Sequence, residues 1–442
     1  MRLEPFTGNY LTDPGTTWQD LLDGPAVRYA EDLGMWLIIR HEHVQRALGD
    51  NKTFLNALTL APVYEVCPEA LQIVMQIDAP PTTVAADPPV HLRTRRALRA
   101  CFANTTARVD EQYGPIVRQR TDELISQVKA RAERGGLDLI AEFTTELPLL
   151  VLVDILGVPP VDIPRIRRWA DGQIALVWGN PEPAEQVRLA QGLLDFWRYC
   201  QELVAGLLAS GAYGDSFVGK VLRFRDDDDS VLTGNEAASL AFNLLVAGHE
   251  TTAGLLAHSL DLALSVPRRW DELVADPGRI PAFVEEALRL RPAIDGWLRV
   301  TAEPVELGGV TIPAGARCLL VLGAANRDPA VFHRAAEFDP SRPNLRDSLT
   351  LRFGPHYCIG AALARLEAEV ALNRLVTDLP GLRLADGYQR AFKPNVSFRA
   401  HQNMPAVLTP PSARASVAMA RPAEPDQPTI ELAGVTDAAV PL

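Results

Sequence analysis

The chain has 442 residues, 47% of them apolar and 22% charged, and its 43 Lys+Arg against 55 Asp+Glu leave a formal charge of -12. That apolar share builds a large buried core, and so acidic a chain is excluded as a general binder of nucleic acid or acidic membranes. Its five scattered cysteines form neither a disulfide framework nor a CxxC zinc site; Met1–Gly15 has no apolar signal core and no later stretch spans a membrane, so a cytoplasmic protein is expected.

In chain order, the first notable segment is basic: Arg93, Arg95, Arg96 and Arg99. On a helix, Arg95 and Arg99 stack at i, i+4 while Arg93 and Arg96 share an adjacent strip; the run is either an ordinary solvated face or a docking patch for an acidic partner. Apolar residues at i, i+3, i+4 predict helices over Thr121–Arg134, Gln186–Ala209 and Ala361–Leu379. Asp226 to Asp229 reads as a solvated loop, since adjacent like charges repel. Thr233 followed by Glu236 is a capping-box pattern that opens a helix running to Leu264. That helix is apolar on most faces and should cross the interior.

Inside it lies a polar island, Ala247-Gly248-His249-Glu250-Thr251-Thr252. Burying an unsatisfied polar group costs about 2–7 kcal/mol, so these groups either satisfy one another along a polar seam or serve bound chemistry as a proton-delivery pair. Gly248 leaves room beside them, and a Gly/Thr stretch can kink the helix. Downstream, Glu286 and Arg289 at i, i+3 can pair on one face; most such pairs are surface contacts. Val305–Leu307, Gly308-Gly309 and Val310–Ile312 predict a tight hairpin, and Leu319–Leu322 a further strand. The fold class is therefore mainly α with a small antiparallel β part.

The most specific segment is Phe353-Gly354-Pro355-His356-Tyr357-Cys358-Ile359-Gly360, leading into Ala361-Ala362-Leu363-Ala364-Arg365. A cysteine at a helix N-terminus is biased toward the thiolate, and flanking glycines let a flat cofactor approach the backbone. Cys67, Cys101, Cys200 and Cys318 lack such a setting and read as small buried hydrophobes. Residues 1–409 read as one compact domain, and 410–442, rich in Pro, Ala, Ser and Thr, as a disordered tail.

The set Ala247-Gly248-x-Glu250-Thr251-Thr252, Glu286-x-x-Arg289 and Gly354-x-His356-x-Cys358-x-Gly360 resembles the cytochrome P450 superfamily, in its soluble bacterial form. Asp87-Pro88-Pro89-Val90-His91-Leu92-Arg93, Ala325-Asn326-Arg327-Asp328-Pro329 and Phe338-Asp339-Pro340-Ser341-Arg342 extend the resemblance over residues 20–408 or so. The resemblance implies the cytochrome P450 fold and haem b, with Cys358 as axial thiolate, which favours O–O cleavage. It implies that His91, Arg95, Arg299 and His356 hold the haem propionates, since two carboxylates entering an interior need cationic or hydrogen-bonding partners. Gly360 belongs to the same cofactor-binding set, and Ala247 and Gly248 form the wall for oxygen and substrate. Glu250 and Thr251 are the acid–alcohol pair that relays protons, and Glu286, Arg289 and Arg342 a buried structural triad. Arg95 then points inward, with Arg93, Arg96 and Arg99 outward for ferredoxin docking.

One departure is that Leu351-Arg352 stands where the family has Phe and Gly, with Phe353-Gly354 two residues later. Gly354 and His356 fit without a gap, so the loop is expected to keep its length with Leu351 beside the thiolate. The implied activity is monooxygenation of an apolar or partly aromatic small molecule with O2, as in natural-product tailoring. Electrons would come from NAD(P)H through a separate ferredoxin reductase and ferredoxin, because no flavin or nicotinamide domain follows the haem domain. Substrate contacts are expected from 64–86, 174–179, 241–247 and 293–297. An oxidative coupling enzyme or peroxide-driven peroxygenase on the same fold, and a non-catalytic haem sensor, are the rival readings.

Overall fold

Proline and glycine set many of the helix ends. The computed structural model describes residues 1–409 apart from Thr82 and Arg352; the expected tail, 410–442, lies outside the described residues. The amino-terminal part holds β1 (Val27–Ala30), β2 (Met35–Ile38), α1 (His41–Gly49) and β3 (Phe54–Leu55). The basic run lies on α2 (Val90–Cys101). Helix α3 (Gly114–Arg134) begins earlier than its periodicity predicts because Pro115 fits the first turn, where no amide donor is needed. Then follow α4 (Glu146–Leu156), α5 (Ile163–Trp178) and α6 (Pro183–Ser210), the last opened by Pro183 and closed by Gly211 at φ 64°.

The acidic run is a loop, but Arg225 clamps it with contacts to Asp227 (3.0 Å) and Asp229 (2.8 Å). Thr233 and Glu236 form the expected capping box, Glu236 N donating to Thr233 Oγ1 at 3.1 Å and Thr233 N to Glu236 Oε2 at 2.8 Å. The interior helix it starts is two helices, α7 (Gly234–Ala247) and α8 (Glu250–Leu264), interrupted at Gly248-His249. The chain continues through α9 (Ile280–Leu290), β4 (Gly296–Thr301), the hairpin β5 (Val305–Leu307) and β6 (Val310–Ile312), β7 (Arg317–Val321) and α10 (Ala361–Asp378). Gly308 and Gly309, at φ 59° and 78°, make the hairpin turn.

The sheet order β1-β2-β7-β4-β3 is antiparallel throughout except for the parallel pair β2–β7, with Leu37 opposite Leu319. The strands of residues 27–55 are additional to those read from the sequence. One apolar core lies among the helices and a second lies against this sheet, and Val246, just ahead of the helix interruption, packs on both. No helix among the described residues is long and apolar enough to cross a membrane.

Candidate active site

Between the two cores lies a cleft that opens to solvent. His91, Arg95, Ala247, Gly248, Thr251, His356, Cys358 and Gly360 all line it. Glu250 and Arg299 are not among its lining residues.

Cys358 lies just ahead of α10, whose first amides have no helical carbonyl to meet. Its own amide donates to the Leu351 carbonyl at 3.0 Å, and Leu351 lines the cleft, so the loop keeps its length with that leucine close to the sulfur. Gly354, at φ +69°, has a different task from a cofactor cradle. A Cβ there would stand 3.1 Å from Gly49 Cα and Leu48 O, so the glycine lets the loop close against α1. At Gly360 a Cβ would meet nothing nearer than Cys358 Sγ at 4.0 Å, which leaves that backbone open. Gly248 likewise departs from expectation: the space it frees is filled by Leu152 of α4, 3.1 Å from a Cβ built there.

The His91 and His356 rings stack with centroids 4.0 Å apart. His91 Nδ1, Arg95 Nε and Arg299 Nη2 are buried with no hydrogen-bond partner among the described residues. Burial, reinforced by Arg95, lowers the pKa of His91. Burial and Arg99 lower that of Arg95, and the Cys358 sulfur partly offsets the effect. Arg299, 1% exposed on β4, donates through Nη1 to the Leu298 carbonyl (2.7 Å) and Thr59 Oγ1 (3.3 Å); burial pulls its pKa down to about 10. Unpaired buried donors are costly, and those of His91 and Arg95 at one cleft match a ligand that brings carboxylates. The residues present thus fit a haem: a cysteine sulfur at a helix start, an open glycine and spare cationic donors.

Arg93 is exposed and has a partner on another helix. It pairs with Glu236, which is 3% exposed and needs a cation, and so helps hold α2 to the start of α7. Arg96 and Arg99 are exposed, next to Leu92, which is 63% exposed. Arg95 donates to the Tyr357 carbonyl at 2.5 Å.

The triad is closed and buried. Arg289 Nε and Nη2 donate to Glu286 Oε2 and Oε1, each at 2.7 Å, and Arg342 Nε donates to Glu286 Oε1 at 3.2 Å. Arg289 Nη1 reaches the Asn326 carbonyl (2.8 Å), Asn326 Oδ1 accepts from Leu349 N (2.8 Å), and Thr350 Oγ1 donates to Leu288 O (2.6 Å). These bonds carry the triad to the loop that presents Cys358. Neighbouring Glu285 binds Arg365 (2.5 Å), tying α9 to α10.

At the helix interruption, Thr251 Oγ1 donates to the Ala247 carbonyl at 2.6 Å. His249 is fully buried, and burial lowers its pKa. Sequence reasoning missed two acids here. Asp171 of α5 stands against His249 and Glu250, their ligand atoms within 4.8 Å of one another; burial and the Glu250 carboxyl push its pKa up to about 7. Glu367 of α10 lines the cleft, 2% exposed, and burial raises it to about 8. A carboxyl at a buried helical position within Leu363–Val376 is the signal that could have flagged Glu367; for Asp171 there is none short of the fold.

The rest of the wall is mainly apolar. Leu244, Val246, Ile294, Trp297 and Phe398 line it, with Gln173 and Asn243 as uncharged polar groups. The expected 174–179 segment does not: Ile174, Val177 and Trp178 pack into the sheet-side core, and α5 shows Gln173 to the cleft instead. From 64–86, Thr83 and Val84 reach it.

Residues 280–379 match the family model described as Cytochrome P450. The chain is 34% identical to Cytochrome P450 107B1 of Saccharopolyspora erythraea over 81% of its own length and 85% of the relative's. It is also 34% identical to the Cytochrome P450 monooxygenase PikC of Streptomyces venezuelae, covering 85% of this chain and 86% of that one. The solved structure of cytochrome P450 CREJ in complex with (4-ethylphenyl) dihydrogen phosphate superimposes with a TM-score of 0.86 at 31% identity, over 92% of this chain and 99% of the other.

Proposed function

Since the chain belongs to the cytochrome P450 family and is a haem-dependent monooxygenase by that membership, we propose that it inserts oxygen into an apolar or partly aromatic small molecule in natural-product tailoring. We propose further that it acts in the cytoplasm and draws electrons from a ferredoxin. One observation carries the reading: a single cleft gathers Cys358 from the loop before α10, Thr251 from the helix interruption, and buried donors on α2 without partners. Scattered cysteines without the spacing of a disulfide framework suit a reducing compartment.

Cys358 would hold the haem iron through its thiolate, with His91, Arg95, Arg299 and His356 receiving the propionates. When bound, the haem supplies the chemistry that reduces dioxygen, one oxygen atom entering the substrate and the other leaving as water. The apolar wall excludes water and gives affinity, while Gln173 and Asn243 orient a substrate that carries a hydroxyl or amide. Thr251 holds its proton at the cleft surface, and Glu250 replenishes it. Arg96 and Arg99, beside exposed Leu92, would steer an acidic ferredoxin.

The test is a titration of purified ferric holoprotein with a diverse panel of small molecules, watching for the low- to high-spin shift as water leaves the iron. Apolar compounds with one hydrogen-bonding group should give the shift, and hits should be oxidised with NAD(P)H, a ferredoxin and its reductase. A panel in which only charged compounds shift the spin state refutes the substrate reading. Hits consumed with peroxide alone as fast as with the electron chain refute the ferredoxin reading.

A further inference from the structure

Glu250 does not line the cleft but stands against α5, where it meets a second carboxyl rather than a cation. Asp171 lies within 4.8 Å of it, partly exposed, yet with Oδ1 buried and without a hydrogen-bond partner among the described residues. The charged and titratable groups around the pair are His249, buried beside both, Lys393 from the carboxy-terminal segment, and Arg167 one turn earlier on α5. None of them makes a salt bridge to Asp171 or Glu250 among the described residues; Arg167 is taken by Glu146 at 2.7 Å. Two carboxylates this close, one with an oxygen cut off from water, do not both ionise at neutral pH. One proton between them removes the repulsion.

We propose that Asp171 and Glu250 hold one proton between them and that Asp171 is the outer member of the proton route, resupplying Glu250 from solvent each time Glu250 gives a proton toward Thr251. The step balances without any redox partner. The shared proton crosses from Asp171 to Glu250, the Asp171 O–H bond breaking as a Glu250 O–H bond forms; Glu250 then gives it to the Thr251 side, and both acids are briefly carboxylates. Asp171 is then reprotonated by water at its exposed edge. The rise of the Asp171 pKa to about 7 by burial and Glu250 fits this storage role. The inference rests on the reading that Glu250 feeds protons to the cleft; the pairing of the two acids is independent of that reading.

Two measurements on the holoenzyme test it. First, infrared difference spectra through a pH titration follow the C=O stretch of protonated carboxyls in the ferric protein. A component with its midpoint near pH 7 should vanish in Asp171→Asn and move to lower pH in Glu250→Gln, while the Glu367 component near pH 8 stays. If Asp171→Asn removes nothing, or Glu250→Gln leaves the midpoint unmoved, the shared proton is wrong. Second, oxygen consumption driven by NADH, a bacterial ferredoxin and its reductase is recorded against pH with no substrate added. Asp171→Asn should be slower by ~10-fold or more, within the usual range for a general acid, and lose the inflection near pH 7. Asp171→Glu should restore both, and the double variant with Glu250→Gln should be no slower than Glu250→Gln alone. A slow Glu250→Gln beside an Asp171→Asn of native rate and pH profile overturns the proposal alone. A Glu250→Gln of native rate overturns the relay reading beneath it.

Discussion

Replacing Glu286 by Gln isolates what the triad contributes. The carboxylate accepts Arg289 Nε and Nη2 at 2.7 Å each, Asp339 N at 2.8 Å and Arg342 Nε at 3.2 Å, and Arg289 and Glu286 are fully buried. A carboxamide can keep its oxygen at the Oε1 position, but its amide then opposes the Arg289 Nε–H, donor against donor, and the guanidinium is left uncompensated. Breaking a buried pair from one side costs about 3–5 kcal/mol, against ~0–1 kcal/mol for a surface pair. An unfolding entropy of ~2 cal/mol/K per residue gives ~0.9 kcal/mol per K for a body of this size, so Tm should fall by about 3–6 °C. Because Arg289 also holds Asn326, and Asn326 holds Leu349, the Cys358 loop should loosen as well. The assay is a circular-dichroism melt of the ferric holoprotein at one scan rate, paired with the spectrum of the reduced carbonyl complex. A fall of less than about 1 °C, with an unchanged thiolate-type carbonyl band, would refute the idea that this pair braces the cysteine loop.

Cys358→Ser should abolish the long-wavelength carbonyl band of thiolate-ligated haem; a band that survives moves the ligand elsewhere. Thr251→Ala should uncouple turnover, with reductant consumed and peroxide released, and an unaltered product yield per NAD(P)H removes the hydroxyl from the relay. Arg96→Glu combined with Arg99→Glu should slow ferredoxin reduction most at low ionic strength while leaving haem bound, whereas Arg93→Glu should lower Tm by leaving Glu236 without its cation; the opposite pattern would reverse these assignments. His258 and His401 are buried together, Nδ1 to Nε2 at 3.1 Å, and burial pulls His401 down to about 4 and His258 well below its usual value. Groups with depressed folded pKa values contribute their stability above the unfolded value of about 6.5 and lose it as pH falls toward the folded one. Between about pH 6.5 and 4 the unfolding free energy should therefore drop by up to ~1.4 kcal/mol per pH unit for each histidine, measurable by denaturant titration; a His401→Gln variant with the same slope would discount that residue.

The features legible in the sequence are those where a short segment contradicts its own surroundings. A cysteine between glycines at a helix start, an acid and two threonines inside an apolar helix, and Gly-Gly between β-branched runs each carry their meaning locally. What stays hidden depends on how distant segments meet. Strands Val27–Ala30 and Met35–Ile38 have four residues each, too few for alternation to show. The face that α5 turns to the cleft follows from how it crosses α7, so Gln173 rather than Ile174 reaches the wall. Arg93 looks like any exposed arginine until Glu236 arrives from another helix with a buried charge to neutralise. Gly248 and Gly354 show the same limit from the other side: a glycine announces a close approach, and only the fold says that the visitor is Leu152 or the end of α1.

The hydroxyl of Thr251 has one hydrogen, and at rest it is spent on the Ala247 carbonyl. In that orientation its free lone pairs can receive a donor but it has nothing to hand over. Passing a hydrogen into the cleft requires χ1 or the O–H rotor to swing, and a helical threonine has two χ1 rotamers to use because its hydroxyl can bond a preceding carbonyl. The abandoned carbonyl must meanwhile find water. Position 251 therefore has a resting state in which the helix backbone holds its hydrogen.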